Sequence, residues 1–152
     1  MFSDDLKSRM NEDNTRDKLF HPRMRALGYP AAEDIGATQY DQQGHLARGR
    51  FDGCYLLDGR PMVLVELKRE GLLADEQQLT KARAQVHGYA LSDDFEVPPP
   101  LLLVSDGHAF EMHERSSPDP ARPAYTPLPR ILRWEDVAKR APGRYTPTFV
   151  DL

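Results

Sequence analysis

One cysteine stands in the whole chain of 152 residues. Cys54 therefore has no internal partner for a disulfide, which fits a reducing compartment. Long apolar runs are missing too. The longest, Met62 to Val65, is far below the roughly 20 residues of a membrane span, so no membrane partner is expected. Met1 to Lys7 shows neither the basic head nor the apolar stretch of a signal peptide, and a cytoplasmic location is the expectation. The five histidines have no ligand spacing, which argues against a zinc site. Nor is there an excess of positive charge. The net charge is −4 and the pI about 5.7, whereas a protein that grips DNA through many phosphate contacts is usually basic. An acidic metal-binding cluster, or delivery to DNA by a larger assembly, is compatible with that balance.

What is present describes one globular domain. Hydrophobic residues make up 39% and charged residues 29%, with a mean hydropathy of −0.64. Residues 1–10 read as a polar, frayed N-terminus. The apolar stripe Leu19, Phe20, Met24 and Leu27 predicts a helix from residue 11 or 12 to Leu27, kinked at Pro22 and stopped by Gly28. Residues 38–43 read as a first strand. Arg50–Leu57 and Pro61–Lys68 are β-prone runs separated by the hairpin signal Asp58-Gly59. In the second run Val63, Val65 and Leu67 line one face, while Met62 and Leu64 begin the other, the pattern of a central strand covered on both sides. Residues 74–91 predict a helix with a buried stripe of Leu79, Ala82, Val86 and Ala90. Leu101–Val104 and His108–His113 follow as two more strands, with both histidines expected at the surface. Residues 116–129 hold too many prolines for regular structure, and a short helix is expected over 134–140. The expected units are a domain over 11–115 and a Pro-rich connection with a C-terminal helix and tail over 116–152. The order is α-β-β-β-α-β-β, an α/β sandwich around a central mixed sheet.

Glu66 and Lys68 interrupt the most apolar strand. Two residues apart, they project from the same face. Burying a carboxylate and an ammonium is costly unless each has a partner, and a metal ion or a reacting phosphate would be one. Asp52 lies on the preceding strand, where register decides whether it meets Glu66. A plain two-residue turn would pair it with Val65 and turn it to the wrong face. A three-residue connection with a bulge at Gly59 would set it beside Leu64 and diagonal to Glu66. An odd-length turn or a bulge is therefore predicted. Two carboxylates from adjacent strands supply hard oxygen ligands for Mg²⁺. Lys68 would orient water or stabilise a pentavalent transition state. Gln85 and Tyr89, at i and i+4, share a helix face beside this region. Arg48, Arg50, Arg69, Lys81 and Arg83 could form a basic rim for DNA or a solvated face, with Arg50 and Arg69, which flank the motif, favouring the rim.

Arg50-Phe51-Asp52, Val65-Glu66-Leu67-Lys68-Arg69 and Gln85-Val-His-Gly-Tyr89-Ala90 together resemble the N-terminal nuclease domain of type I restriction enzyme R subunits, a branch of the PD-(D/E)xK nucleases. The opening Glu12-Asp13-Asn14-Thr15-Arg16, with Pro22 and Leu27-Gly28-Tyr29, resembles the first-helix pattern in which a glutamate faces the metal. Ser105-Asp106-Gly107 departs mildly from the family's Thr-Asn-Gly turn. The resemblance covers residues 11–114 and implies a restriction-endonuclease-like fold and a Mg²⁺-dependent deoxyribonuclease, with Mn²⁺ able to substitute. It implies Asp52 and Glu66 as metal ligands, Lys68 as catalytic, Gln85 and Tyr89 as the Q-x-x-x-Y element, and Glu12 as the first-helix acid, with Asp13 and Asp17 as competitors for that role. DNA is the implied substrate, with a helicase, translocase or methyltransferase as the implied partner. Full R subunits carry a motor, but this sequence has no G-x-x-x-x-G-K-[ST] loop, so ATP dependence does not transfer.

Each element alone has a plainer explanation. Glu66 and Lys68 could be a solvent-facing pair at a strand end, with Asp52 merely flanking a turn. Gln85 and Tyr89 could be a polar helix edge and a core aromatic. Glu12 could be a first-turn acid favoured by the helix dipole, and Cys54 a small buried residue. The alternative function is a non-catalytic nucleic-acid-binding or scaffold module that keeps the nuclease fold.

Overall fold

A computed structural model describes residues 13–30, 40–42, 45–46, 49–50, 53–92, 95–117 and 124–140. The first helix, α1, covers 13–26. Its middle is a π-turn at Arg16–Phe20, closed by the His21 N–H donating to the Arg16 carbonyl. An α-helical segment, His21–Ala26, follows with Pro22 in its first turn. Pro22 has no N–H to give, and the hydrogen-bond ladder departs from α geometry just before it, in the π-turn. Gly28 ends the helix at φ 88°. Its N–H donates to the Arg25 carbonyl and that of Tyr29 to Met24, a Schellman stop.

The strands are β1 (Tyr40–Gln42), β2 (His45–Leu46), β3 (Gly49–Arg50), β4 (Gly53–Leu57), β5 (Arg60–Leu67), β6 (Leu101–Ser105), β7 (Phe110–Arg115) and β8 (Tyr125–Pro127). Helix α2 (Glu76–Ala90) joins β5 to β6, and α3 (Trp134–Ala138) follows β8. Six strands form one sheet in the order β1-β4-β5-β6-β7-β8, while β2 and β3 pair separately. Only the β5–β6 pair in that sheet is parallel, so the architecture is mixed α/β around a mixed sheet. Asp75 starts α2 by accepting N–H bonds from Gln77 and Gln78.

Each face of the sheet has its own apolar layer. Tyr55, Val63, Val65, Leu67, Leu101, Leu103 and Met112 pack with Phe20 and Met24 of α1 and with Val137 of α3. Cys54, Leu64, Leu102 and Val104 pack with Ala82, Val86 and Ala90 of α2. β5 is thus a central strand covered on both sides, as its two apolar faces predict.

Three expectations are corrected. First, residues 125–127 are not irregular: β8 pairs with β7 through Tyr125↔Arg115, Thr126↔Glu114 and Pro127↔His113. Proline is tolerated there because β8 is the edge strand. Second, His113 is buried at 6% exposure, because α2 covers the β7 face on which it sits. Third, Met62 joins the α1 face rather than the Leu64 face, for a reason that lies in the hairpin.

That hairpin turns through Asp58 and Gly59, both at positive φ (51° and 79°), with Leu57 paired to Arg60. It is a two-residue turn, not a three-residue one. The bulge sits one step further along. Leu56 pairs with Pro61 but Tyr55 pairs with Val63, so Met62 is the extra residue. Pro61 cannot donate to the ladder, which makes this the natural place for the break. Parity changes as expected, but in the other direction. Gly53 faces Val65, two residues further along β5 than the expected three-residue turn would put it.

Candidate functional site

β5 runs through the middle of the sheet and ends at Glu66 and Leu67, which pair with Val104 and Ser105 of β6. One more rung follows, the Lys68 N–H donating to the Ser105 carbonyl at 2.8 Å. The ladder therefore holds the backbone on both sides of Glu66. Glu66 points to the α2 face and is 3% exposed. The Lys68 Nζ lies 2.9 Å from its Oε2. Lys68 keeps 18% of its side chain exposed, so its ammonium bridges a buried carboxylate and water. A solvent-facing strand-end pair would leave both groups open; here the carboxylate is buried.

A second carboxylate, Glu111, lies in the same row of the sheet, two strands from Glu66 through Val104. It is already engaged. Arg83 Nε and Nη2 donate to its two oxygens at 2.6 and 2.7 Å, and His113 Nε2 lies 2.6 Å from Oε1. The hydrogen bond from Arg83 holds the Glu111 carboxyl below its ordinary range. His87 packs edge-on against His113 at 5.4 Å. Burial, and then the nearby His113, lower its pKa from 6.5. His87 Nε2 and His113 Nδ1 find no hydrogen-bond partner among the described residues. Sequence reasoning missed this cluster, although its signal was present. Glu111, His113 and Arg115 alternate with Phe110 and Met112, a period-two pattern that puts them on one face. Arg83, read as part of a possible basic rim, is instead committed to Glu111.

Gln85 is exposed and Tyr89 half-buried; Tyr89 packs against the α2-side apolar layer. Around the helix, Arg83 and His87 lie on one flank of the buried Ala82–Val86–Ala90 stripe and Gln85 and Tyr89 on the other. Since Arg83 and His87 meet β7, the second flank faces the β4 side of the sheet.

No protein-family model, curated protein or solved structure matches this chain.

Of the expected site residues, Glu66 and Lys68 are in contact, and Gln85 and Tyr89 share a flank of α2. Asp52 and Glu12 lie outside the described residues. Among the described residues no three His, Cys, Asp or Glu side chains converge as a metal site. Glu66 contributes one hard, buried oxygen donor, a type of group that suits Mg²⁺.

Proposed function

We propose that this chain is a metal-dependent DNA endonuclease that hydrolyses phosphodiester bonds, resembling the PD-(D/E)xK nuclease domain of type I restriction enzyme R subunits. The observation that carries the reading is the buried Glu66 carboxylate at the end of a central strand, with the Lys68 ammonium 2.9 Å away. A charged pair in this position needs a compensating role, and holding a cation beside a phosphate is one.

The reading requires Asp52 opposite Glu66, one step beyond the described Gly53–Val65 pair. Asp52 and Glu66 would then hold Mg²⁺, with Mn²⁺ as a substitute and Glu12 as a further acid from the first helix. When bound, the metal polarises a phosphoryl oxygen and makes water a better nucleophile. Lys68 supplies a fixed positive charge next to Glu66, where negative charge develops on the phosphoryl oxygens. Gln85 and Tyr89, on the β4-facing flank of α2, offer an amide and a hydroxyl to position ligands or phosphate. Water oxygen bonds to phosphorus, one ester P–O bond breaks, and the departing oxygen takes a proton. The net charge of −4 favours a module brought to DNA by a helicase, translocase or methyltransferase partner. The same charge supports the second reading, a non-catalytic module with the same fold.

Plasmid nicking in Mg²⁺ separates the two. The wild type converts supercoiled DNA to open circles. Glu66→Ala and Lys68→Ala lower the rate by at least about 10²-fold, the scale of removing one electrostatic stabiliser, while both retain a cooperative thermal transition. A wild type that never nicks DNA supports the non-catalytic module, and variants that unfold assign the pair to structure alone.

A further inference from the structure

We propose that the groove between α1 and the segment just after β5 seats the phosphates of the nucleic-acid strand on which the Glu66–Lys68 end of the sheet acts; this rests on the nuclease reading above. The groove is lined by Asn14, Thr15, Lys18 and Leu19 of α1 and by Arg69 and Glu70. Its volume of about 360 Å³ falls within the roughly 300–1,000 Å³ of ligand clefts.

Both of its walls carry positive charge. Lys18 and Arg69, one on each wall, have no ion pair among the described residues. Arg83, Arg140, Arg16 and Lys68 are engaged by Glu111, Glu114, Asp13 and Glu66; Arg60, Lys81 and Arg130 also lack an ion pair among the described residues but do not line the groove. The one acid on the lining, Glu70, is turned to His108, whose Nε2 lies 2.7 Å from its Oε2. Two uncommitted cations with an amide and a hydroxyl beside them make an anion-binding surface, and a planar guanidinium suits phosphate oxygens.

Position ties the groove to the motif. Arg69 directly follows Lys68, so their Cα atoms are about 3.8 Å apart. The opposite wall is held by close packing. A Cβ on Gly107, in the β6–β7 turn, would come within 2.8 Å of the Leu19 side chain and 3.0 Å of that of Thr15. The first half of α1 therefore rests on the turn at the same sheet end as Glu66. Glu66 points to the α2 face while the groove is walled by α1, so a strand lying between Lys18 and Arg69 passes round the end of the sheet to bring its next phosphodiester to Lys68. A protein of net charge −4 gains substrate affinity from such a local, uncompensated pair of cations rather than from a basic surface.

Steady-state cleavage of a DNA duplex in Mg²⁺ tests this, with wild type and the full-length double variants K18E/R69E and K18Q/R69Q. Both positions are exposed, so folding is retained, which a thermal melt checks. The expected result is a KM raised about tenfold or more in K18E/R69E and by less in K18Q/R69Q, with kcat within about twofold of wild type. The dependence of log(kcat/KM) on log salt becomes shallower by about 2 in the double variants, one unit for each lost phosphate contact. A wild-type KM and salt slope in both variants overturns the groove and leaves the nuclease standing. A loss confined to kcat also overturns it, since it makes the two cations part of the chemistry. A wild type that does not cut removes the nuclease reading, and the groove assignment with it.

Discussion

At the residue scale, the polar groups under α2 fall into two kinds. Glu66 and Lys68 lie at the open end of the sheet, one group buried and the other reaching water. Glu111, His113 and His87 lie further along the same face and are neutralised within the fold by Arg83 and by each other. The second kind makes stability depend on pH. Burial lowers the folded-state pKa of His87 below 6.5, so the unfolded chain takes up a proton there that the folded protein resists. Stability is therefore full above about 6.5 and falls as the pH drops through that value. The depressed pKa of Glu111 adds a second loss at more acidic pH, once its carboxylate is protonated in the fold. Urea denaturation between about pH 5.5 and 7.5 checks the first effect. Stability rises with pH in the wild type, and the rise flattens in His87→Gln. An equal rise in both proteins would remove His87 as its source.

At the scale of elements, turn chemistry was the most legible part of the sequence. Gly28 and Asp58-Gly59 marked stops whose backbone only glycine or asparagine-like residues adopt easily, and the structure has positive φ at all three. The buried stripe of α2 was equally readable, because Ala82, Val86 and Ala90 recur at helical spacing. The hairpin bulge was expected from parity, but not its position. A missing N–H at Pro61 decides that position, and hydrophobic patterning is blind to it. β8 was hidden by its prolines, which exclude a central strand but not an edge one. His113 was misread because polarity was taken for exposure, although a strand in a sheet covered by helices can bury histidine beside a carboxylate such as Glu111.

The turn before β7 offers a test of how α1 is seated. Gly107 combines φ 88° with the close approach of Leu19. Gly107→Ala lowers stability by about 1–3 kcal/mol, from left-handed strain plus overpacking. Leu19→Ala in the same chain removes the contact with Cδ1 but leaves that with Cβ and the strain, so a double-mutant cycle by denaturation reads a partial favourable coupling. Additive effects would mean that α1 does not rest on this turn.

At the scale of the molecule, residues of the Pro-rich connection and of the short C-terminal helix join the main core. Val137 is buried, and Leu128, Ile131, Leu132 and Trp134 pack on the same layer as α1. The Tyr29 hydroxyl donates to the Leu132 carbonyl, and the Trp134 N–H to that of Leu27. Burial raises the Tyr29 pKa well above its ordinary value, which keeps that donor protonated. Composition marked 116–129 as irregular because it counts prolines and does not see long-range pairing. The Glu66–Lys68 half of the candidate site was legible because charges in an apolar strand are unusual. Glu111 was not, because its partner Arg83 lies 28 positions earlier in sequence.

Calorimetric titration of Mn²⁺ into the full chain tests the central claim most directly. The wild type should take up the metal at a saturable site, and Asp52→Ala and Glu66→Ala should each lose that heat while keeping the wild-type circular dichroism spectrum. A wild type that releases no binding heat, or variants that bind as tightly as it does, would contradict the account.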